Sequence, residues 1–97
     1  MPRVRLTRAA RADLIEIWSY LATDSETAAD RVLDRIGSRL DLLARSPHLG
    51  RRREELRPSL RSFPVGDYLI FYQVTGKALT VVRVLHGSRD LASLFEF

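Results

Sequence analysis

The sequence predicts an α+β domain with an N-terminal strand, an antiparallel two-helix hairpin, a three-stranded antiparallel meander and a short C-terminal helix. Two apolar stripes at helical spacing fill residues 10–43, with only a few polar residues between them. Apolar, β-branched and aromatic runs then fill residues 60–86, punctuated by glycine-containing connections. Nothing repeats and no linker divides the chain, so residues 1–97 are expected to form one domain.

Arg3-Val4-Arg5-Leu6 alternates basic and apolar residues as a half-buried edge strand does, and Thr7 stands next in position to cap a helix. Ala10, Leu14, Ile17, Trp18 and Leu21 make the apolar face of that helix and leave Arg11, Glu16 and Ser19 outward. Asp24 and Ser25 interrupt the pattern as cap residues. Ala29, Val32, Leu33, Ile36, Leu40 and Leu43 then form the second stripe. So short a connection makes the two helices an antiparallel hairpin. Pro47 ends the second helix, because its ring biases the residue before it toward extended backbone.

Residues 46–59, with Pro47, Gly50 and Pro58, read as connecting loop containing at most one helical turn. The meander follows. Gly66-Asp67 has glycine first in a two-residue hairpin loop, where positive φ is free of steric cost, and Thr75 to Ala78 with Gly76 makes the second connection. Ser88 is the expected cap of a last short helix in which Leu91, Leu94 and Phe95 share a face.

Composition narrows the function classes. The absence of cysteine excludes disulfides and thiolate chemistry and removes the usual ligands of structural zinc, so no metal or cofactor is expected. No apolar stretch approaches the ~20 residues that span a bilayer, which points to a soluble, cytoplasmic protein that engages no membrane. Sixteen basic residues against twelve acidic ones leave a net charge of +4, and Lys77 is the only base that is not arginine. Arginine for lysine, with no asparagine, also follows from GC-rich codons, so clustering of charge says more than its total.

Arg61-Ser62-Phe63-Pro64-Val65 with Gly66, then Ile70-Phe71-Tyr72, Arg83-Val84-Leu85-His86 and Arg89-Asp90, form an ordered set. Together with Ala12-Asp13-Leu14, Ile17-Trp18, Tyr20, Ser46-Pro47 and Leu49-Gly50-Arg51, it resembles the ParE branch of the RelE/ParE toxins of bacterial toxin–antitoxin modules. The resemblance spans nearly the whole chain. It implies a toxin that binds DNA gyrase and traps it on cleaved DNA without catalysing a reaction, held inactive by a ParD-like antitoxin and needing no small-molecule ligand. It also implies a groove for the antitoxin's apolar anchors beside the helices and sheet, with Leu14, Trp18, Leu21, Leu40 and Phe71 as candidates that core packing explains equally well.

The alternative within the superfamily is ribosome-dependent mRNA cleavage, for which Arg61, Arg83 and His86 are the candidates. Such a reaction deprotonates a 2′-hydroxyl, meets phosphorane charge with guanidinium groups and protonates the leaving oxygen. Strand alternation puts Arg83 and His86 on opposite faces unless a bulge or the strand end intervenes. The plain alternative is that Arg83 pairs with a carboxylate and His86 hydrogen-bonds into the turn at residues 87–90. For target contact, Arg51, Arg52, Arg53 and Arg57 form the densest basic run, with Glu54 and Glu55 as internal compensation. Leu94, Phe95 and Phe97 are expected to offer apolar surface at the C-terminus if that segment is not docked.

Overall fold

The computed structural model describes residues 3–88 and 90–95. Strand β1 (Arg3–Leu6) leads into α1 (Arg8–Ala22), α2 (Glu26–Arg45) and a 3-10 turn (Pro47–Leu49). There follow β2 (Arg51–Arg52), β3 (Arg61–Val65), β4 (Tyr68–Thr75), β5 (Ala78–His86) and α3 (Leu91–Leu94). The strands form one mixed sheet in the order β1-β5-β4-β3-β2. The meander is as expected, and β1 joins it parallel to β5 with Leu6 opposite Val81.

Local chemistry sets the helix starts. The Thr7 side chain accepts from the Ala10 N–H at 3.0 Å while its own hydroxyl donates to the Val82 carbonyl at 2.8 Å, so one residue caps α1 and pins it to β5. Ser25 caps α2 through the Ala28 N–H. Gly66 (φ 58°) and Gly76 (φ 60°) take the left-handed conformation in the two hairpin loops.

The helical hairpin covers one sheet face. Ala10, Ile17, Ile36, Leu40 and Leu43 meet Val65, Ile70, Tyr72, Leu79, Val81 and Val84 there. Each such aliphatic side chain contributes roughly 1.5–3 kcal/mol by leaving water. On the opposite face a smaller cluster gathers Leu60, Phe71, Val82, Leu85 and Phe95, with Leu56, Leu91 and Leu94 around it.

Two elements differ from the sequence expectation. The segment after α2 is not all loop: beyond the 3-10 turn, Arg51 and Arg52 pair with Ser62 and Arg61 as a fifth strand. The last helix is capped from Asp90 rather than Ser88, with no side-chain bond, and runs only four residues. Ser88 is instead engaged with His86.

Tyr72 fixes the turn between α2 and β2. Its phenol is wholly buried, donates to the Pro47 carbonyl at 2.7 Å and accepts from the Gly50 N–H at 2.8 Å. Burial pushes its pKa above the ordinary tyrosine value. Gly50 is required for this approach, because a Cβ there would collide with the phenol. Tyr72→Phe is expected to cost about 1–3 kcal/mol by leaving the Gly50 N–H unpaired, and Gly50→Ala to be destabilising by a similar amount through overpacking. Urea denaturation of both variants measures this, and unchanged midpoints would refute it.

Candidate functional site

The polar residue with the most structural work is Asp13. It sits on the buried face of α1 between Ala10 and Ile17, with 8% of its surface exposed. Arg83 donates to both of its carboxylate oxygens, Nε at 2.7 Å and Nη2 at 2.8 Å, and the Val84 N–H adds a third bond at 3.0 Å. This bidentate pair raises the Arg83 pKa further above its already high value, chiefly through the hydrogen bonds to Asp13.

A bulge precedes Arg83 in β5. Phe71 pairs with Arg83 but Tyr72 pairs with Val81, so Val82 is an extra residue in β5. Val81 and Val84 therefore both enter the core beneath the helices, although simple alternation would part them. Strand β1 ends opposite Val81, and past that point the β5 edge is open for Arg83 to turn toward α1.

Arg83 and His86 consequently line one hollow of about 490 Å³ together with Glu16, Tyr20, Asp67 and Tyr68. Backbone alternation still sets Arg83 level with Phe71 and His86 with Tyr68, and it is the Arg83 side chain, drawn to Asp13, that reaches the hollow. The His86 ring meets Tyr68 edge-on, with centroids 5.5 Å apart, and its Nδ1 accepts from the Ser88 N–H at 3.2 Å. Burial and the nearby Asp67 charge push the Tyr68 phenol above its ordinary pKa.

Arg61 is not part of this hollow. It pairs with Tyr72 on β3, whereas His86 pairs with Tyr68 on β5, so four residues of β4, about 13 Å of strand, separate their levels. The Arg61 Nη1 donates to the Gly50 carbonyl at 2.8 Å instead. The three residues considered for RNA cleavage thus do not converge.

The basic run is partly neutralised from within. Arg52 lies 3.9 Å from Glu54, and Arg53 lies 2.9 Å from Glu55 while also donating to Ser62. The Arg53 and Arg57 guanidiniums stand over the rings of Phe71 and Phe95, which covers the second core. Arg51 is exposed.

Of the groove candidates, Leu14 and Trp18 line a shallow apolar groove with Ile15 and Leu33, and Trp18 Nε1 donates to Asp30 at 2.8 Å. Leu21 is half-buried. Leu40 and Phe71 are core and form no surface, because each points into a closed cluster. The expectation for the C-terminus is corrected likewise. Phe95 is 5% exposed against Phe71, Leu94 packs beside it, and Phe97 lies outside the described residues.

Asp13, Tyr20 and Tyr68 were not singled out from the sequence as site residues. A carboxylate three residues after Ala10 and four before Ile17, on an apolar helix face, was the available signal for Asp13. The tyrosines carried none, since their meeting depends on how α1 crosses the sheet.

Residues 4–91 match the family model described as the ParE toxin of the type II toxin–antitoxin system parDE. The chain belongs to the ParE toxin family. Toxin ParE1 of Mycobacterium tuberculosis is 36% identical over 91 residues, covering 92% of this chain and 93% of that protein. Toxin ParE3 of Caulobacter vibrioides is 34% identical over 94 residues, covering 96% and 94%. Toxin RelE3 of Caulobacter vibrioides is 36% identical over 88 residues, covering 90% and 96%, so the ParE and RelE names meet at similar identity. The fold agrees with a chain of the chromosomal ParDE system of P. aeruginosa at a TM-score of 0.74 and 22% identity, over 89% of this chain and 96% of that one. As a ParE-family member, this chain is the toxin of a type II toxin–antitoxin module. No helix among the described residues is long and apolar enough to cross a membrane.

Asp13→Ala in this ParE-family chain is expected to cost about 3 kcal/mol. That is the low end for a buried pair, because the Arg83 side chain remains 24% exposed and screened. Removing Arg83 as well, as Asp13→Leu with Arg83→Met, is expected to recover part of the loss. Thermal unfolding of the two variants decides it, and a double variant less stable than Asp13→Ala would contradict the assignment.

Proposed function

We propose that this toxin acts by binding DNA gyrase and holding it on cleaved DNA, and that a ParD-like antitoxin neutralises it. The observation that carries a binding role over a catalytic one is the occupation of Arg83. Both of its bonded nitrogens face Asp13, and Arg61 is turned away to Gly50, so neither guanidinium is aimed with His86 at a common phosphate. The hollow around His86 supports recognition more readily than acid–base chemistry.

The family supplies the antitoxin partner as a class, and a solved neighbour is the RelBE2 toxin–antitoxin complex of Mycobacterium tuberculosis, at a TM-score of 0.59 and 26% identity over 89% of this chain and 99% of that one. On this reading the antitoxin's apolar anchors lie along the hairpin at Leu14, Trp18 and Leu21, where Ile15 is 63% exposed. Arg51 and Arg52 are the exposed members of the basic run available to the target.

RNA cleavage is the second reading, favoured by the RelE3 likeness and by the shared hollow of Arg83, His86 and Tyr68. Two assays separate them. Purified gyrase is expected to lose supercoiling activity and accumulate cleaved DNA in the presence of this protein. Full supercoiling with the protein in stoichiometric excess would sink the gyrase reading. Toeprinting on translating ribosomes is expected to show no cuts in the A-site codon, and cuts that vanish with His86→Ala would establish the nuclease instead.

A further inference from the structure

Cations without a partner also lie outside the basic run. Arg31, Arg35 and Arg39 lie at i, i+4 and i+8 on α2, and none makes an ion pair or side-chain hydrogen bond with any described residue. Arg31 and Arg35 are exposed and Arg39 is partly so. The stripe runs down the flank of α2 near the β3–β4 turn, where the Arg35 guanidinium lies beside Gly66.

Asp34 stands at i+3 from Arg31, and Asp30 and Asp34 each precede an arginine by one residue, yet neither of these carboxylates makes an ion pair with the three arginines. The i,i+4 neighbours Arg31–Arg35 and Arg35–Arg39 are like-charged, an arrangement that weakens a helix where acid–base pairing would strengthen it. Local stability therefore does not account for the pattern.

We propose that this arginine stripe is a docking surface for the phosphate backbone of duplex DNA. Successive arginines stand about 6 Å apart along the helix, and phosphate charges recur about every 3.4 Å of axis along each DNA strand, so the stripe spans several phosphates. A protein partner fits less well. Interfaces between proteins are built on an apolar centre, and the residues between the arginines on this strip are the polar Asp34 and Ser38. The major groove of B-form DNA admits a helix and leaves its flanks near the backbone, whereas the deep groove of A-form RNA does not. This surface is independent of the hollow at His86 and of gyrase, and concerns DNA alone.

The test is fluorescence anisotropy with a labelled 20-base-pair DNA duplex across a salt series. The triple variant Arg31→Gln/Arg35→Gln/Arg39→Gln is expected to flatten the slope of log K against log salt by about 2.7, since each phosphate contact adds about 0.9. A charge-matched variant, Arg5→Gln/Arg8→Gln/Arg11→Gln, is expected to change it by less than half as much. Arginine-to-lysine replacement at the three stripe positions should retain most of the slope, which separates lost charge from lost folding. Equal slopes for the two glutamine variants would overturn the proposal. So would stripe-dependent binding of duplex RNA or poly-L-glutamate as tight as that of the DNA.

Discussion

The rest of the structure depends on one carboxylate. Asp13 binds the Arg83 guanidinium with both oxygens and the Val84 N–H with one of them, so it joins the helical layer to β5 just beyond the bulge. The end of β1 opens the edge through which Arg83 turns, and Thr7 holds α1 in register with that edge. Remove the carboxylate and a half-buried cation and a backbone donor lose their partner together. The same arrangement brings Arg83 and His86 to one hollow with the Arg83 Nε and Nη2 both turned to Asp13.

Much of the fold was legible because independent signals agreed. Thr7 and Ser25 stood before apolar stripes of the right period, and both cap as expected. Gly66 and Gly76 stood where hairpin loops need positive φ. What escaped was set by tertiary contact. Strand β2 is two arginines long and has no periodicity to read; it exists because Tyr72 anchors the preceding turn and brings Arg51 opposite Ser62. Ser88 looked like a cap, but its hydroxyl meets the His86 ring. The extra residue in β5 had no marker in sequence, and it set Val81 and Val84 on the same face.

The candidate site was harder to read than the fold, and the reason is economy of surface. In a chain of 97 residues the side chains that look like anchors are also those needed for the core, and Leu40 and Phe71 went inward while Leu14 and Trp18 stayed within reach of a partner. Charge followed a similar rule. In the most conspicuous run, Arg52 and Arg53 find counterions in Glu54 and Glu55, and the quieter Arg31, Arg35 and Arg39 of α2 make no ion pair among the described residues. A run of charge in sequence measures density, and only the folded arrangement tells which charges are already answered.

The parallel pairing of Arg3–Leu6 with residues 78–81 has a consequence for how the molecule comes into being. A nascent chain makes β1 long before it can seat it, since the partner residues 78–81 are made some seventy residues later, and Asp13 waits equally long for Arg83. Loop-closure entropy must be met before these distant contacts return anything. Completion of the fold is thereby postponed until residues 78–84 are available, so a toxin without them has neither its finished sheet nor its anchored helix.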